Sequence, residues 1–144
     1  MWASLLAALP LPAMAGTGTP NVSVQAPWIR YLLPNIPAGG YMVLKNTGDG
    51  DAVLTGASSP DCSSLMLHKS QDSSGMAMMM DMQSITVPAR GSVTFASGGY
   101  HLMCMNPKMH VGERVPITLD FQDKANILLI VPVYGPSGPP AQGN

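Results

Sequence analysis

Charge is what this 144-residue chain has least of, since only 10% of its residues are charged, against a usual quarter. Seven basic and eight acidic residues leave a formal net charge of −1, and neither sign is clustered. This argues against a nucleic-acid partner or an electrostatic attraction to anionic membranes. The few acids are scattered and no Ser-His-Asp or Cys-His arrangement is recognisable, so we do not expect an enzyme.

Long apolar runs are rare as well, with one exception at the N-terminus. Residues 1–15, MWASLLAALPLPAMA, end in the A-x-A form of a signal-peptidase site, although no basic segment precedes them. We expect cleavage after Ala15 and export of the mature protein. No other stretch is long enough to span a bilayer, so no membrane insertion is expected after cleavage.

Helical periodicity is absent from the rest of the chain, which breaks into about nine short β-rich runs separated by Gly, Pro, Asn, Asp and Ser clusters. Residues 22–134 are long enough for one domain with a core of its own. The pattern predicts an all-β domain made of two antiparallel sheets in a Greek-key β-sandwich. Residues 135–144, GPSGPPAQGN, have little apolar surface and are expected to form a flexible tail.

Methionine is abundant, with 12 residues, although soluble domains use it sparingly. The segment 75–82, GMAMMMDM, alternates so that four methionines of one parity could face the interior: Met76, Met78, Met80 and Met82. Met79 has the opposite parity and is predicted on the other face, with Ala77 and Asp81.

The segment 100–105, YHLMCM, places His101 and Met103 on one face of a strand and Cys104 on the other. Same-face neighbours lie about 6.6 Å apart, so an imidazole and a thioether could bind one metal ion. His68, at the end of another predicted strand, is either a polar strand terminus or a third ligand. Thioethers favour Cu(I), and imidazole accepts copper in either oxidation state.

The spacing of these residues resembles the periplasmic copper chaperones of the PCuAC family, whose motif is H-x10-M-x21-H-x-M. His68, Met79, His101 and Met103 match all four positions. Flanking segments such as GGYMVLKNTGD, VPARGSV and VGERVPITLDF are similar too, and the resemblance covers about residues 22–134.

This resemblance implies a cupredoxin-like β-sandwich that holds one Cu(I) near its surface through these two His and two Met residues. It also implies delivery towards the Cu(A) centre of cytochrome c oxidase subunit II, alone or with a Sco-type thiol protein. We expect a monomer. A periplasmic copper buffer with the same site and no oxidase client is the alternative, and an interaction module whose methionines only pack is a second one.

Cys62 and Cys104 are the only cysteines, and an exported protein with an even number usually pairs them. If His68 and His101 face each other across antiparallel strands, the two cysteines are offset by three positions, so we expect a disulfide. A buried free thiol and a metal-side thiol are the alternatives.

Two further segments carry candidate functional residues. Met109 and His110 form either an accessory copper contact or an ordinary exposed loop. Trp28 and Arg30, in the segment PWIR, are assigned to packing and surface pairing.

Overall fold

A computed structural model describes residues 20–73 and 76–140 of the chain. The predicted signal segment 1–15 and the end of the predicted tail, residues 141–144, lie outside them. The strands are β1 (Val22–Arg30), β2 (Ala38–Asn46), β3 (Ala52–Ser58), β4 (Ser64–Ser73), β5 (Met76–Asp81), β6 (Ile85–Val87), β7 (Ser92–Phe95), β8 (Tyr100–Met105), β9 (Arg114–Phe121) and β10 (Ile127–Tyr134). Nowhere in these residues is there an apolar helix of membrane-spanning length.

The prediction of an all-β, sandwich-like domain is confirmed, but the strands do not form two separate antiparallel sheets. They form one ten-stranded sheet in the order β5-β4-β8-β7-β2-β1-β10-β9-β3-β6, and a further β3–β4 pairing closes it. Two pairings, β1–β10 and β7–β8, are parallel. In two open sheets, backbone N–H and C=O groups along the edge strands would have no partner. The β3–β4 pairing provides partners for such groups where the two strands meet.

Alternation of apolar residues decides which face of each strand meets the core. In β9 every second residue is buried: Val115, Ile117, Leu119 and Phe121. Strands β4 and β8 contribute Leu65, Leu67 and Leu102 to the same interior. Because successive side chains alternate, the residues between them face away from the core.

The methionine segment and the residues that follow it form two strands. Strand β5 ends at Asp81, and the chain then leaves β4 to pair β6 with β3, where Ile85 lies opposite Leu54. Ile85 and Val87 are buried while Met78 and Met80 are exposed. Every second residue is therefore buried in the core in β6, from residue 85, but not in β5.

A β-bulge in β1 changes which residues face outward. Ala26 has a φ of 47°, and the β1–β2 register shifts between Gln25 and Trp28. The extra residue reverses the parity of the rest of the strand. After the bulge Ile29 is buried, and Trp28 and Arg30 face outward.

The segment after β10 is described as far as residue 140. The backbone N–H of Gly138 donates to the carbonyl of Gly135 at 3.0 Å. Gly138 has a φ of +73° and lies so close to Trp28 that an added Cβ would be 2.9 Å from its ring. Residues 135–138 therefore turn back against the domain, and the flexibility of the tail stays a prediction.

Asn46 is a buried polar residue at the end of β2 with a structural role. Its Nδ2 donates to the carbonyl oxygens of Gly50 and Val87, at 2.9 and 3.0 Å. Its Oδ1 accepts from the N–H of Gly48 at 2.9 Å. The side chain therefore ties the turn after β2 to β6.

Candidate metal centre

The β4–β8 pairing places the two predicted histidine ligands directly opposite each other. His68 pairs with His101, and the next same-face pair is Met66 with Met103. Directly opposed residues project to the same face of a sheet. The inward face of these two strands is filled by core leucines, so the histidines and Met103 lie on the outward face.

Strand β5 adds Met79 to this face from the other side of β4. Met79 pairs with Ser70, and Asp81 pairs with His68. Met79 and Met103 therefore occupy diagonally opposite positions around the histidine pair, one reaching in from β5 and one from β8. Met79 is the diagonal neighbour of His68 on the adjacent strand, a spacing within reach of long side chains.

The two imidazoles are close enough to share an ion. Their ring centroids are 5.6 Å apart and their planes are inclined at 74°. An ion bound to one nitrogen of each ring would lie about 3 Å from each centroid, given metal–nitrogen bonds near 2.0 Å, so the centroids could be up to about 6 Å apart. The observed separation falls within that limit.

Both histidines are buried, with 7% of His68 and 6% of His101 exposed. Nδ1 and Nε2 of His68 and Nε2 of His101 have no hydrogen-bond partner among the described residues. Buried polar atoms without partners are unfavourable and rare in native proteins. A metal ion bound to Nε2 of His101 and to one nitrogen of His68 would satisfy two of these three atoms.

His101 has a defined hydrogen bond on its other nitrogen. Nδ1 lies 3.2 Å from the carbonyl oxygen of Gly99, so Nδ1 is the protonated nitrogen when the ring is neutral. Burial is the main cause that lowers the pKa of His101; the Gly99 contact opposes this, and the charges of His68 and Arg30 add to the lowering. The ring is thus kept neutral, with Nε2 available as a ligand.

His68 has a carboxylate beside it. Nε2 of His68 lies 2.6 Å from Oδ1 of Asp81, yet this nitrogen has no hydrogen bond. The two atoms are therefore in contact, but their geometry is not that of a hydrogen bond. Asp81 is mostly exposed.

A cleft of about 180 Å³ opens on this outward face. Met79, His101 and Met103 line it, together with Arg30 and Tyr41 from β1 and β2. His68 does not line the cleft, but its ring is next to that of His101. Three of the four predicted ligands therefore reach one open space, and the fourth contacts one of them.

The predicted interior face of the methionine segment is partly wrong. Met78 and Met80 are 54% and 43% exposed, and Met79 is 61% exposed. Met82 does pack against the core. The reason is that β5 is an edge strand paired only with β4, so neither of its faces is covered there.

The expected disulfide is present between Cys62 and Cys104, whose Cα atoms are 5.3 Å apart. Cys104 pairs with Leu65 in the β4–β8 register, which gives the offset of three positions expected for Cys62. The bond lies on the core side of β8, so the thiol alternatives, including a metal ligand, are wrong.

Met109 is not an accessory ligand, because it is 3% exposed and belongs to the core. Its neighbour His110 is exposed. The structure therefore rules out the accessory contact for Met109 only, and a copper contact by His110 stays a prediction.

Arg30, Tyr41 and Asp81 lie beside the predicted ligands, and sequence reasoning gave none of them a role there. Parity already placed Asp81 with Met79. Arg30 depends on the bulge at Ala26, for which only the Ala-Pro break in the strand pattern gives a signal. Within the described residues, no group of three or more His, Cys, Asp or Glu side chains is placed to hold a metal ion.

Comparison with protein families identifies one that covers most of the chain. The model of the family described as "Putative lipoprotein LpqE-like" matches residues 22–133. A relative from Leifsonia xyli subsp. xyli (strain CTCB07), named "Putative lipoprotein Lxx21020", is 34% identical over 137 residues. That match spans 91% of this chain and 82% of the relative.

Several solved structures are similar. The copper-bound PCuAC domain from PmoF2 is 26% identical with a TM-score of 0.69, over 85% of this chain and 100% of that domain. Apo-DR1885 from Deinococcus radiodurans is 35% identical with a TM-score of 0.61, over 94% of each chain. The Cu(I) form of DR1885 is 36% identical with a TM-score of 0.65, over 78% of each chain.

Proposed function

Since the chain belongs to the LpqE-like family, and since its fold matches PCuAC domains, we propose that it is an exported copper(I) carrier. It holds one Cu(I) per chain through His68, Met79, His101 and Met103 and releases the ion by ligand exchange. Export is supported by the lipoprotein names of its relatives and by the disulfide, which is typical of oxidising compartments.

One observation carries this proposal: two neighbouring buried imidazoles have unpaired nitrogens, and one of them lines a cleft that two thioethers also line. Imidazole and thioether together suit Cu(I) better than hard divalent ions. The copper-bound and Cu(I)-bound neighbours support the same metal.

The position of Met79 supports release as well as binding. It is 61% exposed on an edge strand, so an incoming ligand of another protein can replace it before the buried histidines are disturbed. A thioether also has no proton to lose near neutral pH, so its exchange is not coupled to a proton transfer. The protein acts by binding and exchange, and no substrate bond is broken.

Anaerobic Cu(I) titration in competition with a chromophoric chelator tests the proposal. We expect one tight equivalent in the wild type, and severe weakening in Met79→Ala and in His101→Ala. Met78→Ala is the matched control, because Met78 is the next residue, similarly exposed, on the opposite face of β5. Equal loss in Met78→Ala and Met79→Ala, or no stoichiometric binding in the wild type, would contradict the proposed site.

The recipient is proposed on the resemblance to copper chaperones: the Cu(A) domain of cytochrome c oxidase subunit II, a Sco-type protein, or both, with this protein acting as a monomer in the periplasm. A copper buffer with the same site is the alternative. Incubation of the Cu(I)-loaded protein with an apo Cu(A) domain distinguishes them. Transfer supports delivery, whereas retention against a favourable affinity difference supports buffering.

A further inference from the structure

The cleft that three of the predicted metal ligands line also contains a cation with no acidic partner. Arg30 lines it and forms no ion pair with any described carboxylate; the arginine–carboxylate ion pair in the described residues is that of Arg90 with Asp49. None of the described residues that line the cleft is acidic. A guanidinium in a concave site favours an anion.

The guanidinium of Arg30 is held in place by neighbouring side chains. Its Nη2 donates to the hydroxyl of Tyr41 at 2.8 Å, and its Cζ lies 5.4 Å from the centre of the same ring. Tyr41 is itself buried, and its ring centroid is 4.9 Å from that of Trp28. Arg30 is therefore preorganised, which lowers the entropy that ligand binding would cost.

Glycine at position 39 makes this arrangement possible. Gly39 lies opposite Arg30 in β1 and opposite Met103 in β8. A Cβ at that position would be 2.7 Å from the hydroxyl oxygen of Tyr41. The tyrosine can lie across the strand towards the metal site only because position 39 has no side chain.

The rest of the cleft wall also suits an anion. Ser70 and Ser97 line it and carry hydroxyl groups that can donate to an anion, and Gly98, with a φ of +85°, lies in the turn between Ser97 and His101. One guanidinium nitrogen is bonded to Tyr41, and the others remain for a planar two-oxygen ligand. The volume of about 180 Å³ fits a carboxylate on a short carbon chain.

We propose that this cleft binds a carboxylate, with Arg30 as its principal contact. Two His and two Met ligands are neutral, so a bound Cu(I) would leave an uncompensated positive charge beside that of Arg30. Carboxylate and metal would then strengthen each other's binding. The carboxylate site itself does not rest on the proposed copper function and can be measured without metal.

Acetate is the first probe, titrated into the apo protein at constant ionic strength, with the Arg30 Nε–Hε NMR signal as the readout. We expect saturable shifts at Arg30, with an affinity in the millimolar range. Arg30→Gln should weaken binding by about ten- to a hundredfold, the range expected for hydrogen bonds to a charged group, as followed at the Gly98 amide. Arg90→Gln, which removes an exposed arginine in a different part of the protein, is the matched control and should not change the affinity.

A second arm identifies the source of the carboxylate. The peptide acetyl-Leu-Glu-Leu-amide is compared with its Gln counterpart, because exposed Leu32 and Met79 adjoin the opening. Binding of the Glu peptide much more tightly than acetate assigns the site to an acidic side chain of a partner protein; equal binding assigns it to a small free acid. Absence of saturable shifts with both probes, or unchanged affinity in correctly folded Arg30→Gln, would overturn the proposal.

A third arm repeats the acetate titration with Cu(I)-loaded protein, where we expect at least about threefold tighter binding. If the apo protein binds acetate but takes up no copper, the copper function fails and the carboxylate site stands. If copper binds and acetate does not, the carboxylate site fails and the copper function stands.

Discussion

Reduction of the Cys62–Cys104 disulfide should remove a large part of the stability of this domain. The bond closes a loop with a sequence separation of 42. With the chain-entropy relation for cross-links, a loop of this length corresponds to about 13 cal/mol/K, or about 4 kcal/mol at 25 °C. The native strands are already paired through the β4–β8 register, so the bond acts mainly on the unfolded chain.

The assay is urea unfolding of the metal-free protein, followed by tryptophan fluorescence with and without a reductant. We expect the unfolding free energy to fall by about 4 kcal/mol, and the melting temperature by roughly 15 °C for a domain of this size. A chelator must be present, because reduced thiols would otherwise bind copper. Reduction is preferable to mutation because it leaves both side chains in place.

The control is the double variant Cys62→Ala, Cys104→Ala, whose unfolding should not respond to reductant. Its stability should be at or below that of the reduced wild type, because Cys104 is buried in the core. A change below about 1 kcal/mol on complete reduction of the wild type would refute the entropic reasoning, since it would mean that the cross-link does not restrict the unfolded chain.

Three further predictions concern the metal-free protein. Since burial lowers the pKa of His101, the unfolded chain binds more protons below the ordinary value of about 6.5; stability is therefore full above that pH and falls as pH drops through the lowered pKa. Urea midpoints from pH 8 to pH 5 should thus decline more in the wild type than in His101→Gln, and equal declines would contradict this. Gly39→Ala should destabilise by about 1–3 kcal/mol through its clash with Tyr41, whereas Gly50→Ala, with no atom within 4 Å, should not; equal urea midpoints for these two variants would argue against the clash. Asn46→Ala loses three hydrogen bonds and should lower the unfolding free energy in urea by about 2–3 kcal/mol, so a loss below 1 kcal/mol would show that water replaces them.

Successive side chains in a strand alternate between its two faces, and the features of the site that depend only on this alternation were predictable from the sequence. In β8 the period of two separates His101 and Met103 from Cys104, and the structure has that separation. The offset of three positions between Cys62 and Cys104 followed from one assumed pair, His68 opposite His101. The β4–β8 register has this pair. A regular strand leaves only two choices of face, so one correct pair fixes its neighbours.

Other features depend on tertiary context that a single strand does not encode. The exposure of Met78 follows from the position of β5 at the edge of the sheet, which pairing decides. The placement of Arg30 follows from one inserted residue at Ala26, and such a bulge reverses every later side chain in the strand. Met109 is buried because it packs against the core, although its local sequence is typical of a surface loop.

The central claim is that two imidazoles and two thioethers share one Cu(I) ion. X-ray absorption at the copper edge of the Cu(I)-loaded protein tests it most directly, in the wild type and in Met79→Ala and Met103→Ala. We predict two nitrogen and two sulfur scatterers in the wild type and one fewer sulfur in each variant. The account would be contradicted if the wild-type spectrum had no sulfur scatterer, or if the spectra of both methionine variants were the same as that of the wild type.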